Sequence, residues 1–226
     1  MTTDTAFIIP VYNEATVIRS VISEVLKQYK YVVCVNDGSR DNSANEIAMT
    51  PAYLIEHPIN MGQGAALQTG VEFARELPVD FFVTYDADGQ HRLEDVKNML
   101  KIIRSDPVDI ILGSRFLGSE AINMPTTKKM LLKFAVMFSN LTSGLRLTDT
   151  HNGLRVFNRK VAEAMQITVP DMAHASEILE MINRNKWRYA ETPVVIEYTD
   201  YSLKKGQSFM NAVNIAFDTL LRKVGR

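Results

Sequence analysis

Residues 81–91 read FFVTYDADGQH, a run of aromatic and β-branched side chains that passes directly into two aspartates, a glycine and two further polar residues. Apolar runs without strict alternation belong to strands covered on both faces. Carboxylates placed where such a strand reaches the surface mark its carboxyl end as a candidate site. Outward from this stretch the pattern recurs in TAFIIP (5–10), YVVCVN (31–36), YLIEH (53–57) and VDIILG (108–113), so strands are expected at those positions and at 81–86. Between them, segments 14–28, 64–77 and 94–105 place Val17, Val21 and Val25, then Leu67 and Val71, then Val96, Leu100 and Ile103, at helical spacing. Strand and helix in alternation predict an α/β fold, with a mostly parallel central sheet and helices on both faces.

The second half reads differently. An amphipathic helix is expected near 126–142, where Lys128, Lys129 and Lys133 lie beside Met130, Leu131, Phe134 and Phe138. A short strand near 153–158, helices near 159–165 and 173–186, a strand near 189–199 and a last helix near 207–224 follow. No internal repeat and no linker rich in Pro, Gly or Ser interrupts the chain. A single domain over 1–226 is expected, with 1–120 carrying most of the polar clusters and 121–226 extending it on the acceptor side.

Composition narrows the function. With 25 Lys+Arg against 26 Asp+Glu the net charge is -1, which argues against a general nucleic-acid binder. The one cysteine, Cys34 in YVVCV, excludes an intramolecular disulfide framework and any zinc site built on several thiolates, and points to a reducing compartment. His57, His91, His151 and His174 show no metal-ligand spacing. The opening MTTDTAFIIPVYNE lacks the basic start of a signal peptide, and no apolar stretch reaches the roughly 20 residues needed to span a bilayer. A cytoplasmic protein is expected, peripheral at the inner membrane face if it meets a membrane at all.

Polar clusters follow each of the first five expected strands: PVYNE (10–14), NDGSRDNS (36–43), NMGQGAA (60–66), DADGQH (86–91) and GSRF (113–116). Asp86 and Asp88, two apart, aim the same way from an extended chain, and two hard oxygen ligands can hold Mg2+ or Mn2+ against a diphosphate. Asp37 is expected to leave one carboxylate exposed for a base or ribose, or else to form an Asx turn or helix cap with Asp41. In NMGQGAALQTG (60–70), Leu67 stands where a dinucleotide fingerprint needs its third glycine, and GK[ST] is absent, so neither that fingerprint nor a Walker A loop is present. Gly64 can still let a nucleotide approach a helix N-terminus, or simply serve a turn. Arg115 and Arg155 offer planar guanidinium forks suited to phosphate. Glu177 and Glu180 share one helix face, where one could act as a base or both be solvated.

Taken in order, PVYNE, VNDGSRDNS, NxGxGAA, DADGQH, GSRF, the D-x-x-x-G-x-R pattern at Asp149, Gly153 and Arg155, and ETPV followed by KGQS resemble the family 2 glycosyltransferases, in their polyprenyl-phosphate (dolichol-phosphate mannose synthase-like) branch. The resemblance implies a GT-A fold and metal-dependent inverting transfer of a hexose from a UDP- or GDP-sugar to a polyprenyl phosphate. It implies that Pro10, Tyr12, Glu14, Asp37, Gly64, Asp86 and Arg115 bind the nucleotide sugar, and that Asp86, Asp88 and Gln90 hold Mg2+ or Mn2+. Asp88, Glu177 and Arg115 are the implied catalytic residues, while Arg155, Lys205 and Ser208 lie on the acceptor side. Glu177 stands where the family usually carries an acidic residue, fourteen positions before Glu191. A lipid phosphate is already anionic and needs no base, whereas a sugar hydroxyl does.

Three other readings stay open on sequence: transfer to a sugar hydroxyl in glycan or glycolipid assembly, a non-catalytic sugar-nucleotide-binding or scaffold subunit of a membrane complex, and a nucleotidyltransferase. The last helix, with Phe209, Val213, Phe217, Leu220 and Val224 and a basic C-terminal stretch, suits a membrane headgroup region, a protein partner or its own core. A homodimer is among the open oligomeric states.

Overall fold

The computed structural model describes residues 1–118, 136–137, 140, 144–150, 152–171 and 173–196. Seven strands, β1 (Thr2–Val11), β2 (Tyr29–Asp37), β3 (Tyr53–His57), β4 (Phe81–Thr84), β5 (Ile110–Ser114), β6 (Arg155–Asn158) and β7 (Tyr189–Pro193), form one sheet in the order β3-β2-β1-β4-β6-β5-β7. All neighbours pair in parallel except β6, which runs antiparallel to both β4 and β5. The mostly parallel sheet expected from sequence is present, and the antiparallel insertion of β6 is the feature that its apolar pattern did not signal.

Helices cover both faces, as the continuous apolar strands require. On one face α1 (Ile18–Leu26) and α4 (Leu93–Ser105) bury Ile22, Val25, Val96 and Leu100 against Phe7, Ile9 and Val83. On the other, α3 (Gln63–Arg75), α5 (Arg159–Ala164) and α6 (His174–Arg184) bury Leu67, Val71, Val161 and Ile178 against Ile8, Phe82 and Phe157. The short α2 (Ser43–Ala48), which the sequence reading did not anticipate, adds the buried Ile47.

Chain order reverses at β1, with β2 and β3 on one side and β4 on the other, so a cleft opens at the carboxyl ends of β1 and β4. β6 reaches this cleft because Phe157 pairs directly with Phe82, their rings stacked at 5.7 Å. Such an aromatic pair contributes about 0.5–1.5 kcal/mol beyond its buried area. The same register sets Arg155 opposite Thr84, two residues short of Asp86. The helix expected near 126–142 lies almost entirely outside the described residues, and the helix at 207–224, with Lys205 and Ser208, lies wholly outside them. None of the described helices is long and apolar enough to cross a membrane.

Candidate functional site

Five chain segments meet at the carboxyl edge of the sheet. The first two are tied to each other: Asn13, at φ 55, accepts from Arg40 N–H at 2.8 Å, while Asn13 N–H donates to Ser39 Oγ at 2.9 Å and Glu14 N–H to Ser43 Oγ at 2.8 Å. Asp41 caps the same junction by accepting from Ala15 N–H at 3.0 Å. This lattice fixes the loop after β1, where Tyr12 is 40% exposed between half-buried Pro10 and buried Glu14. An exposed aromatic face on a rigid loop suits stacking against a nucleobase.

Asp37 departs from expectation. Its carboxylate is buried, not exposed, and accepts from Met61 N–H and Gly62 N–H, each at 2.8 Å, and from His57 Nδ1 at 2.7 Å. The other ring nitrogen of His57 lies 3.0 Å from Thr69 Oγ1. Asp37 therefore anchors the segment leading into α3. His57 was missed in the sequence, where only metal spacing was sought among the histidines.

Gly64 is likewise turned inward. Its N–H donates to Pro170 O at 2.6 Å, and Ala65 N–H donates to the same oxygen at 3.2 Å. A Cβ on Gly64 would overlap Val169 O and lie 2.9 Å from His174 Cβ, so the residue packs against the 169–170 segment. The amides of Gly64 and Ala65 are thus occupied by protein, which leaves the turn reading of Gly64 and not an anion held on its N–H. Gly62, at φ 93, is required for the same reason, since its Cβ would sit 2.5 Å from Pro170 O.

The two aspartates after β4 are half-buried and differ in surroundings. Asp86 accepts from His91 Nε2 at 2.8 Å, with Gln63 Nε2 at 3.4 Å from its other oxygen. His91 is held in turn by its ring contact with Tyr85, and its carbonyl accepts from Tyr85 O–H at 2.6 Å. Burial works to raise the Asp86 carboxyl, but the His91 hydrogen bond and the charges of His91, Arg155 and His174 outweigh it and hold the group below its ordinary value. Asp88, by contrast, is pushed up to about 6 by burial and then by the charge of Asp86, although Gln90 N–H donates to it at 3.0 Å. A divalent ion relieves such mutual repulsion, and carboxylate oxygens suit Mg2+ or Mn2+. Among the described residues no three His, Cys, Asp or Glu side chains converge into a metal cluster. The donor set fits an ion that takes its remaining oxygens from a diphosphate and water, as Mg2+ commonly does.

Arg115 forms a fork onto Asp149, Nε to Oδ2 at 2.6 Å and Nη2 to Oδ1 at 2.8 Å, with its own N–H also on Asp149 at 3.1 Å. Asp149 is placed by Glu191, which accepts from Asp149 N–H at 3.1 Å and Thr148 N–H at 2.9 Å. The Nε–Nη2 edge of Arg115 is thus taken by a carboxylate 34 residues away. Gly153 stands against Asp86, since a Cβ there would lie 2.5 Å from both carboxylate oxygens. Arg155 is buried between the charges of Asp86 and Asp149; burial lowers it to about 10, so it remains a cation at neutral pH.

Glu177 caps the loop before α6, accepting from Thr168 N–H at 3.0 Å, Thr168 O–H at 2.5 Å and Val169 N–H at 2.9 Å. Its carboxylate holds backbone, an arrangement that sequence spacing to Glu191 could not disclose. An exposed tyrosine, a carboxylate pair and a buried arginine thus gather at one switch point of the sheet, the kind of preorganised charge that can stabilise charge developing in a reaction.

The family model described as glycosyl transferase family 2 matches residues 6–165. A UDP-N-acetylglucosamine–dolichyl-phosphate N-acetylglucosaminyltransferase of Methanococcus voltae is 31% identical over 97% of this chain and 96% of its own length. A polyprenol monophosphomannose synthase of Mycolicibacterium smegmatis is 26% identical over 93% of this chain and 82% of its own. Among solved structures, glucosyl-3-phosphoglycerate synthase from Mycobacterium tuberculosis, in complex with Mn2+ and uridine-diphosphate-glucose, superposes with a TM-score of 0.71 at 13% identity, covering 96% of this chain and 76% of that one. That likeness is one of fold: the GT-A architecture.

Proposed function

The chain belongs to glycosyl transferase family 2, and from that premise we propose that this glycosyltransferase moves a hexose, or an N-acetylhexosamine, from a nucleotide sugar to a polyprenyl phosphate at a membrane surface. The reading is supported above all by the full-length likeness to the Methanococcus voltae protein, whose name specifies a UDP-sugar donor and a dolichyl-phosphate acceptor. The carboxylate pair and the exposed Tyr12 agree with the donor side of that reaction.

Tyr12 stacks on the base, with Pro10 and Glu14 beside it, and Asp37 acts indirectly by fixing the Met61–Gly62 wall. Asp86 and Asp88, with Gln90, would hold Mg2+ or Mn2+. A divalent ion bound there neutralises the charge that develops on the leaving diphosphate. His91 keeps the Asp86 carboxylate oriented, and the Asp149–Arg115 fork stiffens the floor of the cleft. An oxygen of the acceptor phosphate attacks the anomeric carbon from the face opposite the leaving group. As the new C–O bond forms, the bond to the nucleoside diphosphate breaks and its electron pair leaves with that product, inverting the anomeric centre.

Glu177 favours a phosphate over a hydroxyl acceptor. Its oxygens already hold Thr168 and Val169, and an anionic acceptor has no proton to surrender. The test is turnover with UDP-N-acetylglucosamine, UDP-glucose and GDP-mannose, each with polyprenyl phosphate and Mg2+ or Mn2+, read by mass spectrometry. Nucleoside diphosphate and a glycosylated lipid phosphate are expected. Pyrophosphate release would mean nucleotidyl transfer instead, and binding without turnover would mean a scaffold.

A further inference from the structure

Arg155 is 3% exposed and Asn152 6% exposed, yet Arg155 Nη1 and Asn152 Nδ2 have no hydrogen-bond partner among the described residues. A buried donor left unsatisfied loses the full cost of its desolvation, more so when it carries charge. Among the described residues His91 Nδ1 and Thr192 Oγ1 share that condition, but Arg155 alone of the four carries a full cationic charge, whereas the Arg115 guanidinium is paired with Asp149.

The two unsatisfied donors flank Gly153, which lies against the Asp86 carboxylate. Asn152 uses its carbonyl to accept from Leu154 N–H at 2.9 Å, which leaves its buried amide nitrogen as the donor without a partner. Gly153, between them, touches the Asp86 carboxylate and is held by Thr84 O–H donating to its carbonyl at 2.6 Å. Arg155 lies within electrostatic reach of both Asp86 and Asp149. His174 adds its influence on Asp86 from the first turn of α6. Two carboxylates therefore attract the guanidinium without taking its Nη1 donor, and an incoming oxyanion is the chemistry that would complete it.

We propose that Arg155 and Asn152 form a phosphate-binding subsite of the cleft, next to the Arg115 guanidinium whose Nε–Nη2 edge is paired with Asp149. This assignment rests on the glycosyltransferase reading for the identity of the phosphate, which belongs either to the acceptor or to the donor diphosphate. The subsite itself rests on the two unsatisfied donors.

The experiment is calorimetric titration of the full chain and of Arg155→Gln, Arg155→Lys and Asn152→Ala with three probes: UDP, a short-chain isoprenyl monophosphate, and the matching isoprenyl alcohol. Arg155→Gln is expected to weaken one phosphate probe at least about tenfold, which is a 1.4 kcal/mol effect, with Asn152→Ala losing part of that and the alcohol unaffected. Loss confined to the isoprenyl phosphate assigns the subsite to the acceptor, and loss confined to UDP assigns it to the donor. Arg155→Lys keeps the charge without the fork and should fall between. If Arg155→Gln proves unfolded by circular dichroism, Asn152→Ala and Arg155→Lys carry the test. Unchanged affinity for both phosphates in the folded variants would overturn the subsite and leave Arg155 as a counter-ion to Asp86 and Asp149. Because these titrations read binding and not turnover, an absence of glycosyl transfer by the parent protein would refute the proposed reaction without deciding the subsite.

Discussion

Gly64→Ala separates two roles for the glycine-rich segment, because helix propensity and packing oppose each other there. Replacing glycine by alanine within a helix ordinarily stabilises by roughly 0.5–1 kcal/mol. At Gly64 the new methyl would overlap Val169 O and crowd His174 Cβ at 2.9 Å, so the 169–170 segment must move away from α3. Overpacking of this kind costs about 1–3 kcal/mol. The shift also lengthens the Gly64 N–H hydrogen bond to Pro170 O, now 2.6 Å, a loss of about 1 kcal/mol. Packing wins, and the net expectation is destabilisation of about 1–3 kcal/mol. A domain of this size shifts its melting midpoint by roughly 2–4 °C per kcal/mol, so calorimetry should find a fall of about 4–8 °C for 2 kcal/mol. A variant as stable as the parent, or one of unchanged stability that has lost nucleotide affinity, would refute the reasoning and return Gly64 to the ligand.

Three further outcomes follow from particular groups. Asp109, 2% exposed in its side chain, is lowered to about 2; burial opposes ionisation, but hydrogen bonds from Arg188 and Asn158 and the charge of Lys160 outweigh it. Its folded value lies below its unfolded one, so its contribution is present above about pH 4 and is lost as pH falls through 2; with 1.36 kcal/mol per pKa unit, urea unfolding should show about 1 kcal/mol of it gone between pH 7 and pH 3 and a correspondingly smaller deficit in Asp109→Asn. Asp88→Ala should abolish metal-dependent nucleotide-sugar binding in a calorimetric titration, and an unchanged Mn2+-dependent affinity would remove Asp88 from the metal site. Glu177→Gln should retain transfer to a polyprenyl phosphate within about an order of magnitude, since general-base catalysis contributes typically 10²–10⁴-fold where it operates; a larger loss with donor binding intact would make Glu177 the base of a hydroxyl-directed reaction.

The strands and most helices could be read from local sequence because their information is local. A run such as FFVTY has the length and side-chain type of a two-sided strand whatever surrounds it, and TAFIIP and YVVCVN behave alike. β4 ends at Thr84 and not at 86, because Asp86 is drawn from the strand to meet His91. β6 could be found but not oriented: RVFN is equally apolar in either direction, and only the pairing of Phe157 with Phe82 sets it antiparallel. His91 stood in the DADGQH motif and Asn152 at an open position of the D-x-x-x-G-x-R pattern, yet nothing in their spacing distinguished a positioning ring from a solvated one or an unsatisfied amide from a loop residue.

The sequence by itself determined the alternating architecture and the gathering of polar clusters at the strand ends, since strand periodicity and chain direction deliver them there. The tertiary structure alone decided which of those groups keep their valence for a ligand. Asp37 is engaged by Met61, Gly62 and His57, the Nε–Nη2 edge of Arg115 by Asp149, and Glu177 by Thr168 and Val169, while Arg155 Nη1 and Asn152 Nδ2 are left without a partner. A carboxylate or guanidinium carries the same charge in any sequence context. Whether that charge is spent inside the protein depends on partners that approach only when distant segments fold together.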